Sequence, residues 1–210
     1  MADEAIDDGP DDPSRRERID RILRAAQQAF LAHGYNGAST DMIQAAAAVS
    51  KSTLYRYFEN KEELFKAAFE AYNKEFLTHI GQIYKDSPDV EEFLFKFGVE
   101  FLQVLTSPRG LNLFRTMVAE GQRFPQVGKM FYLVGPKVTC DLVERYLADA
   151  HRRGALDVPN PAMSAEFFIG MVRGDLFLRC LLGASRPPST AQLERYMRKT
   201  VATFLAAHRA

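Results

Sequence analysis

Between Thr40 and Phe58 two short stretches of helical apolar spacing are separated only by Val49-Ser50, and this restricts the fold more than any other feature of the chain. Met42, Ile43, Ala46 and Ala47 form the inward stripe of the first stretch, and Leu54 and Phe58, four residues apart, anchor one side of the second. Ser39 or Thr40 can cap the first helix and Ser50 the second, because a hydroxyl one residue before a helix accepts from its free backbone N–H groups. An earlier helix is marked by Ile19, Ile22, Leu23, Ala26 and Phe30 and ends at His33-Gly34, where a glycine C-cap is expected. Three helices, the last two joined by a turn of two or three residues, predict a helix-turn-helix whose third helix enters the DNA major groove. With Leu54 and Phe58 inward, Lys51, Ser52, Tyr55 and Arg56 lie on the outer side, where amines, hydroxyls and a guanidinium reach phosphates and base edges. Tyr57 falls at the helix edge and Lys61 at the start of the next helix, both placed for flanking backbone.

The remainder shows no strand-like alternation. Asn60 with Glu63 three residues on fits a capping box and opens a long fourth helix through Leu64, Phe65, Ala68, Tyr72, Phe76, Ile80 and Ile83. Further helices are expected from Val90 to Leu105, Leu111 to Gly121, and Val127 to Arg153, the last kinked at Gly135-Pro136 because proline removes a backbone donor. Pro161 opens a helix to about Leu182, and Ser189 with Gln192 makes a second capping box before a final helix to His208. The expectation is an all-α chain of about nine helices: an acidic, disordered tail over 1–13, a helix-turn-helix domain over 14–60, and a helical effector-binding and dimerisation domain over 61–210.

Composition removes other classes. The chain has 210 residues, 47% hydrophobic and 26% charged, and no apolar run approaches the roughly 20 residues of a membrane span. "MADEAIDDGPDDPSRR" lacks the apolar core of a secretory signal, so a cytoplasmic location is expected. The net charge of zero hides an acidic start followed by Arg15, Arg16, Arg18, Arg21 and Arg24. The four histidines are dispersed, and the Glu-x-x-His and His-Glu-x-x-His patterns of helical metal sites are missing. No nucleophile with a nearby base and no phosphate loop stands out; no catalytic residue, metal ligand or cofactor is expected, and a helical-bundle enzyme is the remote alternative. Cys140 and Cys180 are far apart in apolar contexts and read as structural thiols, the other possibility being a DNA binder switched by their oxidation.

In the C-terminal part, "FFIGMVRGDLFLRCLL" is apolar on nearly every side, so its helix must be buried on more than one face. One face can pack on the body while the other meets a symmetry mate, as a two-fold dimer through helices of about 161–182 and 189–208 requires. Phe93, Phe97, Phe101, Phe114, Met117 and Phe131 can line an apolar pocket or form plain core. Arg115, Glu120, Arg173 and Arg179, inside apolar segments, can orient a ligand or pair with one another.

The segment "AFLAHGYNGASTDMIQAAAAVSKSTLYRYFENKEELF" resembles the DNA-binding domain of TetR-family transcriptional repressors: a glycine-aromatic start, a threonine at the second helix, an alanine-rich helix, a V-S-x-x-T-L-Y-x-Y-F run, then a lysine before a long helix. The resemblance implies a homodimeric repressor on double-stranded, palindromic operator DNA. It implies that Thr40, Tyr55, Tyr57 and Lys61 hold phosphates, while Lys51, Ser52, Thr53 and Arg56 read bases or adjacent backbone. Ala48 replaces the usual glycine before V-S, which strains the turn if φ is positive there. Asp41 stands where a few members have a base-reading arginine. "FRTMVAEGQRFPQVGKMFYLVGPKV" is similar to the C-terminal domain of the AefR-like branch, which implies an apolar or aromatic small-molecule effector among the middle helices. Phe97, Phe101, Phe114, Met117, Phe131 and Arg173 are its candidate ligands.

Overall fold

The computed structural model describes residues 13–87 and 89–208, and among these no residue is in a strand. The helices are α1 (Pro13–Gly37), α2 (Thr40–Ala47), α3 (Lys51–Tyr57), α4 (Lys61–Asp86), α5 (Val90–Thr106), α6 (Pro108–Arg123), α7 (Pro125–Tyr132), α8 (Val138–Arg152), α9 (Pro161–Leu181) and α10 (Thr190–Ala206). A π-helical turn over Leu133–Lys137 joins α7 and α8 into one rod, which leaves nine separate helices among the described residues. Where a kink was expected at Gly135-Pro136 the winding changes: Pro136 lies inside the π turn, whose wider winding accommodates a residue that cannot donate its backbone N–H. Two compact units result, one up to Tyr72 and the other from Asn73. Pro13 apart, the expected acidic tail lies outside the described residues.

In the first unit Ile22, Ala26 and Phe30 of α1, Ile43 of α2, Leu54 of α3 and Leu64, Phe65 and Phe69 of α4 are buried. Phe30, Tyr35, Phe65 and Phe69 form one aromatic knot, with ring centroids between 4.4 and 6.4 Å apart. Helices as short as α2 and α3 are not stable in isolation, so these few anchors hold them. Of the expected α2 stripe only Ile43 and Ala47 are buried, whereas Met42 and Ala46 face outward. In a two-turn helix one i, i+4 pair covers the inner face and its neighbours, turned by about 100°, leave it. Gly34 (φ 70, ψ 176) breaks α1 where the sequence placed its end, and one further turn follows to Gly37.

The second unit packs α5 against α10 and α8 against α9 around Phe93, Phe97, Tyr146, Phe168, Val172, Met197 and Phe204. α6 starts earlier than Leu111: Ser107 accepts from the Gly110 N–H at 3.0 Å and Pro108 occupies the first turn. The apolar pattern had missed this first turn because it contributes only Gly110 to the core before Leu111. α9 carries an unexpected break at Gly174 (φ 44, ψ −159), and in the distorted turn the Met171 carbonyl accepts the Tyr196 hydroxyl at 2.7 Å.

Candidate nucleic-acid interface

The turn between α2 and α3 is built from backbone geometry and two hydroxyl caps. Ala48 adopts the left-handed conformation (φ 52, ψ 49) and is the one non-glycine residue at positive φ among those described. Its N–H donates to the Ala45 carbonyl at 3.2 Å and that of Val49 to Gln44 at 3.1 Å, the Schellman arrangement that satisfies the last carbonyls of α2. Ser39 caps α2, accepting from the Met42 N–H at 3.1 Å, so Thr40 is the first helical residue and its side chain serves elsewhere. Ser50 caps α3, accepting from the Thr53 N–H at 3.1 Å, with the hydroxyls of Ser52 and Thr53 each 2.8 Å from its oxygen. At the start of α4, Asn60 accepts from the Glu63 N–H at 2.8 Å, but Glu63 reaches past the expected box to accept from the Glu59 N–H at 2.7 Å.

These caps fix one outward face. Lys51, Ser52, Tyr55 and Arg56 are exposed and Thr53, Tyr57, Lys61 and Thr40 half-buried, while Leu54 and Phe58 point inward. Thr40 and Tyr55, fifteen residues apart, bring their hydroxyls to 3.2 Å. The Lys61 ammonium donates to the Asn36 carbonyl at 3.3 Å and lies 4.7 Å from the centre of the Tyr35 ring, so it is held at the edge of the face. The Lys51 ammonium pairs with Asp41 at 2.9 Å, and the hydrogen bond and charge of that carboxylate raise its pKa above the ordinary lysine value. The structure thus brings Thr40 to Tyr55, ties Lys51 to Asp41 of α2, gathers Ser52 and Thr53 on the Ser50 cap, sets Arg56 beside Tyr57 at the end of α3, and leaves Lys61 at the first residue of α4.

Sequence reasoning missed part of that surface. The Arg18 guanidinium donates to the Tyr57 hydroxyl at 3.1 Å, Arg56 donates to the same oxygen at 3.3 Å, and Arg15 lies 5.7 Å from the Tyr57 ring centre. The first two turns of α1 thus bring Arg15 and Arg18 to Tyr57. Its signal was the run of arginines that follows the acidic start, in which Arg15 and Arg18 stand at i, i+3.

The candidate effector residues fall into neighbouring groups within the second unit. Phe97 and Phe101 are buried in a stacked run with Phe93, and Phe101 also meets Phe76. Phe114 sets its ring edgewise to Phe131 at 5.6 Å and to Phe177 at 5.2 Å, and Met117 is buried on the same helix. Arg173 is half-buried and donates to the Ile169 carbonyl of its own helix at 3.4 Å. Arg115 clamps the end of α9, donating to the Leu181 and Cys180 carbonyls at 2.8 Å each, and Arg179 pairs with Asp175 at 2.9 Å. Among the described residues no cluster of His, Cys, Asp and Glu could hold a metal, and no helix is long and apolar enough to cross a membrane.

Two capped helices joined by a left-handed turn, with cations and hydroxyls turned outward from the second, define a helix-turn-helix DNA-binding regulator. Comparison with known proteins gives the family. Residues 22–68 match the model of bacterial regulatory proteins of the tetR family, and residues 92–210 that of the AefR-like transcriptional repressor C-terminal domain. The HTH-type transcriptional regulator UidR of Escherichia coli K12 is 27% identical over 157 residues, covering 74% of this chain and 78% of its own. A solved Mesorhizobium loti structure assigned to the TetR family superposes with a TM-score of 0.82 at 25% identity, covering 95% of this chain and all of its own. The flavonoid-responsive regulator FrrA gives a TM-score of 0.73 at 30% identity over 92% of this chain and 98% of its own. The chain belongs to the TetR family of transcriptional regulators: it is a DNA-binding protein and not an enzyme.

Proposed function

We propose that this chain is a cytoplasmic, homodimeric repressor that binds a palindromic operator through α3 and is released by an apolar or aromatic small molecule. The outward face of α3 carries the reading. Lys51, Ser52, Thr53 and Arg56 are presented to base edges and adjoining backbone, and Thr40, Tyr55, Tyr57 and Lys61 to phosphates, with Arg15 and Arg18 widening the phosphate contact. Asp41 tethers Lys51 and adds a negative charge to the face, so it opposes indiscriminate phosphate binding.

Dimerisation is supported by α9. Met163, Phe167 and Leu178 of α9 and Leu182 at its C-cap are 49, 60, 49 and 73% exposed, and Gly170 is exposed beside them. An apolar stripe of this size marks an interaction surface, and the space open around Gly170 lets a second helix approach closely. Effector binding is supported by the aromatic groups around Phe97, Phe101, Phe114, Met117 and Phe131, by half-buried Arg173, and by the flavonoid response of FrrA. Control by oxidation is less favoured at Cys140: burial, then the Glu166 carboxylate, push its thiol up, away from the thiolate a sensor needs.

The test is selection of binding sites from random DNA with the full chain, followed by thermal-shift screening of aromatic compounds and assay of each hit for operator release. An inverted repeat with half-sites about one helical turn apart is expected, and ligand and operator must weaken each other by the same factor. A footprint on one asymmetric half-site would remove the dimer from the reading. Tight binders that all left operator affinity unchanged would remove ligand control.

A further inference from the structure

A cleft of about 440 Å³ lies in the second unit among the C-terminal turns of α9, the 182–189 loop and the first half of α10. Its lining holds four cations, Arg179, Arg186, Arg195 and Lys199, and no Asp or Glu. Arg179 is paired with Asp175 at 2.9 Å, whereas Arg186, Arg195 and Lys199 have no carboxylate partner among the described residues. Arg198 on the same helix provides the contrast: it pairs with Glu194 at 3.6 Å and lies 5.0 Å from the Phe95 ring centre. All four are exposed, so their mutual repulsion and their attraction for a counter-charge act through solvent and are strongest at low salt.

The walls are held in place. The Tyr196 ring, which forms one side, is fixed by its hydrogen bond to Met171. Cys180 on the floor is buried, and its thiol lies 3.4 Å from the Ser185 hydroxyl and 3.6 Å from the Arg186 carbonyl. The Ser189–Gln192 capping box sets the start of α10, and Arg115 clamps the end of α9. The surroundings of Cys180, apolar in sequence, are therefore basic on the cleft side.

We propose that this cleft binds a phosphorylated small molecule carrying at least two negative charges. A single carboxylate would leave most of the three unpaired cations without a counter-charge. A phosphate monoester carries about 1.5 to 2 negative charges at neutral pH and a diphosphate more, and guanidinium forks match phosphate oxygens in pairs. The volume falls within the range of small-molecule sites, roughly 300–1,000 Å³, and the Tyr196 ring and arginine stems offer a flat surface for the rest of the ligand. None of the candidate effector residues lines the cleft, so this site does not rest on the apolar effector.

The test is calorimetric titration of the full chain, without DNA, with inorganic pyrophosphate and inorganic phosphate at low salt, with light scattering alongside. One pyrophosphate per chain is expected, bound more tightly than phosphate. Arg195→Ala and Arg186→Ala should each weaken it by about tenfold or more, the conservative Lys199→Gln by less, and Arg198→Ala should leave it unchanged. Absence of pyrophosphate binding to the wild type overturns the proposal, as does equal binding by Arg186→Ala and Arg195→Ala. Loss of the dimer in those variants, with no pyrophosphate bound by the wild type, would overturn it by assigning the cations to a second copy. Because operator DNA is absent, failure here is distinct from failure of the repressor reading.

Discussion

The two units share their capping chemistry, the second with side-chain caps at Asp89, Ser107, Asn160 and Ser189, and differ in the length of their helices and in how their irregular turns are held. In the first, short helices with few apolar anchors are aimed by local devices: hydroxyl caps at Ser39 and Ser50, an amide cap at Asn60, and a left-handed turn at Ala48. In the second, long helices are aimed by their packing, and the irregularities that shape them, the π turn at 133–137 and the break at Gly174, are buffered by contacts from distant residues. Asn73 donates to the Val134 carbonyl at 3.0 Å in that π turn, and Tyr196 to Met171 beside the break. A DNA-binding module that must present a fixed face benefits from local control, whereas a larger packed body can tolerate helices with interrupted hydrogen bonding.

The sharpest test of this contrast is Leu54→Ala. Leu54 is 1% exposed and is one of two anchors of a seven-residue helix, so its truncation should cost about 2–5 kcal/mol, read by chemical denaturation, and abolish operator binding. Met197→Ala, in the larger core of the second unit, should cost a similar amount but leave DNA contacts intact once the chain is folded. If both variants lost DNA binding equally while folded, the local-control account of α3 would be wrong.

Smaller effects are expected at the surface. Lys61→Ala should lower the magnitude of the salt slope of DNA binding by about one unit, because one phosphate contact is lost across all sequences. Arg18→Ala should do the same if the first two turns of α1 belong to the interface, and an unchanged slope would exclude them. Ala48→Gly relieves a left-handed residue that carries a Cβ, at the expense of a more flexible unfolded chain, and should stabilise by roughly 1 kcal/mol, or about 2–4 °C in Tm by calorimetry. Last, Asp41→Asn removes a negative charge from the face and should raise affinity for random DNA a few-fold at low salt and less at high salt, measured by fluorescence anisotropy. No change at either salt would mean that the Asp41–Lys51 pair plays no part in DNA binding.

Much of the first unit was legible residue by residue. Caps, the glycine ending α1 and the Leu54–Phe58 spacing are encoded within a few positions, and their energies act over the same distance. The inward set of α2 was drawn too wide because apolar identity says nothing about which side of a two-turn helix meets a partner; Met42 and Ala46 needed the position of α1. Arg15 and Arg18 were visible as charges, but their gathering on Tyr57 joins residues about forty apart, a relation no local pattern carries.

Sequence alone determined the all-α class, the helix-turn-helix and an irregularity at Pro136, because helix periodicity, capping chemistry and the missing donor of proline act through near neighbours. The basic cleft was decided only by tertiary structure. Arg179 stood out in the chain only as a charge inside an apolar segment and Arg186, Arg195 and Lys199 not at all, and it is the return of α10 against the end of α9 that brings the four around one space. The Gly174 break is of the same kind: glycine permits the conformation, but a hydroxyl from another helix satisfies the carbonyl in the distorted turn.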